Sequence, residues 1–111
     1  MSIAKEEIFG PVLSILEFET LDEAIEIANS TLFGLSSGIW TKDINAAIRF
    51  SKAVRSGTVW VNCWMDGFPE MSFGGFKESG IGRELGRHAV DEFTELKTIA
   101  INTGERNMWV K

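Results

Sequence analysis

Three features of the 111-residue sequence carry residue types from which chemistry is made. The first is Cys63, the single cysteine. A thiol acts as a nucleophile where a helix N-terminus or a basic neighbour stabilises its thiolate. The sequence places neither beside Cys63, which reads instead as a small residue closing a strand. The second is Gly80 to Gly86, GIGRELG, a superficial match to a phosphate-binding glycine fingerprint. That fingerprint needs a strand directly before it and an acidic residue about 20 positions later. Phe76 to Ser79 reads as a polar loop, so tight turns and close packing explain the glycines better. The third is His88, the only histidine, on a predicted helix without acidic or cysteine partners at ligand spacing. A surface or packing role follows. The sequence contains no zinc or calcium constellation.

Composition bounds the remaining classes. Hydrophobic residues at 44% and charged residues at 24% suit one small globular domain and argue against disorder. The net charge of -5, with eleven scattered Lys and Arg, disfavours a nucleic-acid partner, which needs a basic patch. A phosphate-bearing small molecule stays open, because backbone N–H groups bind one without net positive charge. No apolar run approaches the roughly 20 residues of a membrane span. The opening MSIAKEEIF lacks the charged-then-apolar order of a secretory signal. One cysteine cannot form an internal disulfide, which suits a reducing, cytoplasmic setting.

These residues depend on elements that the hydrophobic pattern predicts. Val12 to Phe18 is unbroken and apolar, as a buried strand would be. Thr20 and Glu23 form a capping-box pair, followed by Leu21, Ala24, Ile25 and Ala28 at helical spacing. Leu35 to Trp40 predicts a second strand, weakened by Gly38. Asp43 caps a second predicted helix with Ile44, Ala47, Ile48 and Ser51 inward. Lys52 and Arg55 oppose its dipole, and Gly57 stops it as a left-handed residue. Thr58 to Asn62, TVWVN, is a strongly β-branched strand. The order implies an α/β fold, a parallel three-strand β-α-β-α-β layer with right-handed crossovers. A long loop rich in glycine and aromatics then runs from Trp64 to about Gly82. A helix over 83–92 follows, with Leu85, Ala89 and Val90 inward. Phe93 to Asn102 closes as a strand, and 103–111 is a polar tail.

Four segments, EEIFGPV (Glu6 to Val12), GTVWVN (Gly57 to Asn62), FGGFKESGIGRELG (Phe73 to Gly86) and FTELKTIAI (Phe93 to Ile101), stand in one register. In order and spacing they resemble the last part of the aldehyde dehydrogenase superfamily. The resemblance runs from about Ile3 to Asn102. It implies an enzyme that oxidises a small-molecule aldehyde to a carboxylate with NAD or NADP.

The resemblance also implies roles. Glu7 would accept hydrogen bonds from the two ribose hydroxyls beside the nicotinamide, since a carboxylate offers two acceptor oxygens to a vicinal diol. Phe9 would pack on the nicotinamide side, with Gly10 and Pro11 fixing the turn. On residue physics alone, Glu7 reads as a solvated acid and Phe9 as core. Trp64, Met65 and Phe73 would line the aldehyde channel. Trp64 with Glu70 and Met71 is similar to members that oxidise amino- or trimethylammonio-aldehydes. An indole face attracts a quaternary ammonium by about 0.5–2 kcal/mol, and Asp66 or Glu70 would add negative potential. An apolar channel for ordinary aldehydes is the alternative.

The family's catalytic cysteine and general-base glutamate belong to motifs upstream of EEIFGPV, so the chain alone is expected to be inactive, with Met1 an internal methionine. Residues 1–92 would belong to the catalytic domain and 93–102 to an oligomerisation strand. The implied partners are the remainder of the enzyme or identical subunits in a homo-oligomer. The competing expectation is a non-catalytic α/β assembly or ligand-binding module of the same descent, with Phe93 to Asn102 adding to a neighbouring sheet.

Overall fold

Two side-chain caps set the starts of the longer helices. Thr20 Oγ1 accepts from Glu23 N–H at 3.2 Å and opens α1, Leu21–Asn29. The Glu23 carboxylate reaches back to Glu19 N–H at 2.8 Å, one residue earlier than in a standard capping box. Asp43 Oδ1 accepts from Asn45 N–H at 2.8 Å and opens α2, Ile44–Ala53. The computed structural model describes residue 3 and residues 5–104.

Four strands complete the frame with one further helix. They are β1 (Phe33–Gly34), β2 (Ser36–Ile39), β3 (Thr58–Val61) and β4 (Phe76–Lys77), with α3 at His88–Asp91. Strands β2 and β3 pair in parallel, Ser36 opposite Thr58 through Ile39 opposite Val61, and α2 is their crossover. Strands β1 and β4 pair antiparallel. The protein is therefore mixed α/β with two two-stranded sheets among the described residues.

The core lies between the helices and one face of β2–β3. Ile25, Phe50 and Val54 form it, with Leu21, Ala28, Ile39 and Val59 packed around them. Ala47 is buried too, whereas Ile44 and Ile48, expected inward, are exposed. The inner face of α2 is thus Ala47 and Phe50, continued by its C-cap Val54, where the helix packs on α1 and β3. An exposed Asp22–Arg49 ion pair joins the helices at the rim.

Several expectations are corrected. The parallel layer has two strands rather than three. Val12 to Phe18 forms no strand, and Leu13 and Ile15 are each 84% exposed. Phe93 to Asn102 forms no strand either, with Phe93 and Leu96 essentially uncovered. A strand requires a lateral neighbour for its N–H and C=O groups, and neither segment has one among the described residues. The Cα radius of gyration is 21.3 Å, against about 13 Å for a compact domain of this size.

The expected helix over 83–92 shrinks to four residues. Gly82, Leu85 and Gly86 all have positive φ, and Glu84 is held in a bridge with Phe73, so the backbone cannot wind before His88. The long loop contains β4. Gly57 does not stop α2 as a left-handed residue, since its φ is not positive. Its role is close approach: a Cβ there would collide with the Gly74 carbonyl. Of the tail expected over 103–111, residues from 105 on lie outside the described residues.

Candidate functional site

The carboxyl ends of parallel strands are where open α/β sheets hold ligands. Here β2 ends at Ile39 and β3 at Val61, and the chain continues into Trp40 and into Asn62–Cys63–Trp64. Asn62 turns with φ 55° and fixes Thr41 through both side-chain amide atoms. Ile39 and Val59 face the helices. On the opposite face, a Cβ at Gly38 would meet the indoles of Trp40 at 3.1 Å and Trp64 at 3.4 Å. A β-carbon there would press the Trp40 ring back by a few tenths of an ångström and sit in van der Waals contact with Trp64, so a glycine lets both rings lie close against β2.

The loop after Trp64 folds back over Trp60. Trp60 is buried, and Gly67 lies close enough that a Cβ would touch its indole at 3.0 Å. Beneath the loop is a cavity of about 390 Å³, walled chiefly by Trp60, Met65, Phe68, Met71 and Phe73. Its lining is apolar, with Thr58 and Ser72 as hydroxyl exceptions. Such a cavity suits the hydrocarbon part of a small ligand.

Of the residues singled out from sequence, Met65 and Phe73 come together in this cavity. Trp64 sits outside it, beside Trp40, and is 52% exposed. Cys63, directly before Trp64 in the chain, is half-buried. Glu7 and Phe9 lie in the amino-terminal segment, where Phe9 has φ 51° and a 92% exposed ring. Glu7 borders a separate cleft of about 720 Å³ that faces Leu35, Ser36, Ser37 and Ser79. The Glu7 cleft and the Phe73 cavity share no lining residue, and a third depression has Leu35 and Ser79 in common with the one and Phe73 with the other.

Other residues do unadvertised work. Lys77, with φ 54°, donates from Nζ to the carbonyls of Asn29 (3.1 Å) and Thr31 (2.9 Å) at the end of α1. Asn29 Nδ2 donates to Ala53 O at 3.0 Å while its Oδ1 accepts from Arg55 N–H at 2.7 Å. These bonds hold both helix ends and the glycine-rich hairpin as one body. A lone polar residue late in a helix gives no sign of such a role. Arg83 donates to the carbonyls of Gly75 (3.0 Å) and Gly82 (2.6 Å) and lies over the Phe76 ring at 5.3 Å. Glu92 Oε1 accepts from Arg83 N–H at 3.3 Å. A carboxylate thus lies against the Gly80–Gly86 turn, where a phosphate site would have to open. His88 Nδ1 is 3.0 Å from Ser72 Oγ, at the edge of the apolar cavity. No group of three or more His, Cys, Asp or Glu fit to hold a metal occurs among the described residues.

The sequence pattern of the aldehyde dehydrogenase family matches residues 1–99. The chain belongs to that family. It is 54% identical to aldehyde dehydrogenase 1A1 of Mesocricetus auratus over 107 residues, 96% of this chain and 21% of that protein. Its backbone superposes on an NAD-dependent aldehyde dehydrogenase from Sinorhizobium meliloti with a TM-score of 0.90 and 48% identity, covering 98% of this chain and 22% of that one. A betaine aldehyde dehydrogenase from Staphylococcus aureus, solved with NAD+, matches at TM-score 0.80 and 44% identity, over 84% of this chain and 18% of its own. The chain therefore spans about a fifth of the length of these relatives. In this chain the cavity is shaped by Thr58 and Trp60 on β3 and by the Met65–Phe73 loop.

Proposed function

We propose that the chain is the carboxy-terminal part of an NAD(P)-dependent aldehyde dehydrogenase that converts an aldehyde to a carboxylate. The observation that carries this is family membership over residues 1–99. In this reading, residues 1–92 complete the catalytic domain and 93–102 form an assembly strand once a partner sheet is present. Val12 to Phe18 likewise becomes a strand of the enclosing sheet, which accounts for its apolar, uncovered side chains.

NAD(P)+ would supply the hydride acceptor. The residues of this chain that would hold it are Glu7, whose two carboxylate oxygens suit the ribose hydroxyls, and Phe9, whose exposed ring is free to pack on the nicotinamide. Met65 and Phe73 would enclose the hydrocarbon part of the aldehyde. The thiol nucleophile and carboxylate base of the family belong to motifs outside these 111 residues, and Cys63 does not substitute for them. The isolated chain is therefore inactive. Joined in frame to the remainder of the enzyme it oxidises aldehydes, and Glu7→Gln raises KM for the dinucleotide. Aldehyde oxidation by the purified chain alone would overturn this assignment.

The substrate we favour is a trimethylammonio- or amino-aldehyde. The half-exposed Trp64 indole supports it, as does similarity to the Staphylococcus aureus enzyme. Betaine aldehyde and its neutral isostere 3,3-dimethylbutanal separate charge from shape. In the complete enzyme, Trp64→Ala should cost the cation about 2- to 30-fold in kcat/KM, the range of a cation–π contact, and the isostere much less. Equal losses would favour an apolar channel for ordinary aldehydes.

A second reading, a non-catalytic assembly module, draws on the exposed apolar runs at both ends. Sedimentation showing a stable monomer at high concentration would count against it.

A further inference from the structure

The apolar cavity has one firm wall and one that needs support. Thr58 and Trp60 stand on β3, but Met65 to Phe73 belong to a loop without repeating backbone bonds. The second half of the loop carries backbone ties: Met71 N–H donates to Phe68 O at 2.9 Å, Gly86 N–H donates to Pro69 O at 2.9 Å, and Phe73 and Glu84 exchange two bonds of 2.8 Å. Ser72 stands between the ties at Met71 and Phe73. The side-chain bond that reaches this stretch runs from Ser72 Oγ to His88 Nδ1, 3.0 Å. Gly86, with φ 56°, makes room for it, since a Cβ there would stand 2.8 Å from Ser72 Oγ and 3.0 Å from Ser72 N. The loop lies flat on Gly86 while the imidazole, two residues on at the first position of α3, meets the serine hydroxyl.

We propose that His88 is a positioning residue for the aldehyde channel, holding Ser72 so that Met71 and Phe73 keep the cavity wall closed around the substrate's hydrocarbon chain. The bond serves in either neutral tautomer, because a serine hydroxyl both donates and accepts. His88 itself touches no reacting atom. Its effect falls on aldehydes long enough to reach the wall. The substrate half of the proposal rests on the reading of this cavity as the aldehyde channel; the packing half does not.

Asparagine places an amide atom near the position of Nδ1, whereas leucine keeps the bulk and removes the bond. In the complete enzyme, His88→Leu and Ser72→Ala should each raise KM for hexanal about 2- to 10-fold, the equivalent of one lost hydrogen bond. In His88→Leu, whose altered side chain lies outside the cavity lining, KM for acetaldehyde, KM for the dinucleotide and kcat should stay near their starting values. His88→Asn should restore hexanal binding, and the His88→Leu/Ser72→Ala double variant should be no worse than either single one. Equal impairment by His88→Asn and His88→Leu, additive losses, or a matching rise for acetaldehyde would overturn the proposal. If the complete enzyme oxidises no aldehyde, the channel reading fails, and the packing claim is decided separately on this chain. The Met71, Ser72 and Phe73 amide resonances should then shift or broaden in His88→Leu and remain in place in His88→Asn. Unchanged resonances in His88→Leu would refute the positioning role outright.

Discussion

The side-chain amide of Asn62 closes a two-point clamp on the backbone of Thr41, accepting from its N–H at 2.8 Å and donating to its carbonyl at 2.9 Å. The two residues follow the ends of the paired parallel strands, so the clamp extends the ladder just beyond Val61, where sheet pairing stops. It also sets the direction in which Cys63 and Trp64 leave the sheet.

Replacing Asn62 by alanine removes both bonds and leaves a β-carbon at φ 55°. The expected loss is about 1–3 kcal/mol, combining the bonds with the left-handed backbone cost. Asn62→Gly, which relieves only the backbone, should lose less. Urea unfolding of both variants measures the difference, and equal stability of Asn62→Ala and the parent would remove the clamp from the account.

Gly57→Ala tests the seating of the hairpin. The new methyl must displace the Gly74 carbonyl, and overpacking of this kind costs about 1–3 kcal/mol. Because the contact is local, limited proteolysis should cut first between Trp64 and Gly86, faster than in the parent protein. A cut pattern identical to the parent's would contradict this packing.

Lys77→Met keeps the hydrocarbon stem and deletes the ammonium that donates to Asn29 and Thr31. Hydrogen bonds to a charged group contribute about 1.5–3 kcal/mol each at most, and partial exposure reduces this, so a total loss of about 1–3 kcal/mol is expected. Hydrogen exchange should accelerate at the end of α1 and in β4 together. Acceleration in only one of them would mean that Lys77 does not couple the two.

The uncovered apolar ends make a prediction about association. Phe93, Leu96, Ile99 and Ile101 are all at least 75% exposed, and a segment rich in unpaired backbone groups is a template for pairing with another chain. The isolated chain should therefore self-associate with rising concentration in sedimentation velocity. Leu96→Lys combined with Ile99→Lys should shift it toward monomer without altering the helical circular dichroism of α1 and α2.

Local chemistry made much of this protein legible without coordinates. Thr20 and Asp43 cap their helices because a short oxygen-bearing side chain satisfies free N–H groups within three residues. TVWVN is a strand because β-branched residues suit a pleated backbone, and its partner LSSGIW needed only a crossover helix to bring it alongside. The four family segments were equally plain, since their motifs lie within the chain. Tertiary structure decided what depended on distant neighbours. Val12 to Phe18 and Phe93 to Asn102 have strand composition, yet composition cannot supply a lateral partner, and among the described residues they have none. Leu85 and Val90 carried a helical spacing that lost to the Phe73–Glu84 bridge and the positive φ of Gly82 and Gly86. The inner face of α2 belongs to Ala47 and Phe50, continued by its C-cap Val54, because packing against α1 chose among the helical stripes the sequence allows. Bonds such as Ser72 to His88, Lys77 to Asn29 and Asn62 to Thr41 span 16 to 48 residues. A long-range polar contact leaves no periodic trace in the chain, so only the folded geometry discloses it.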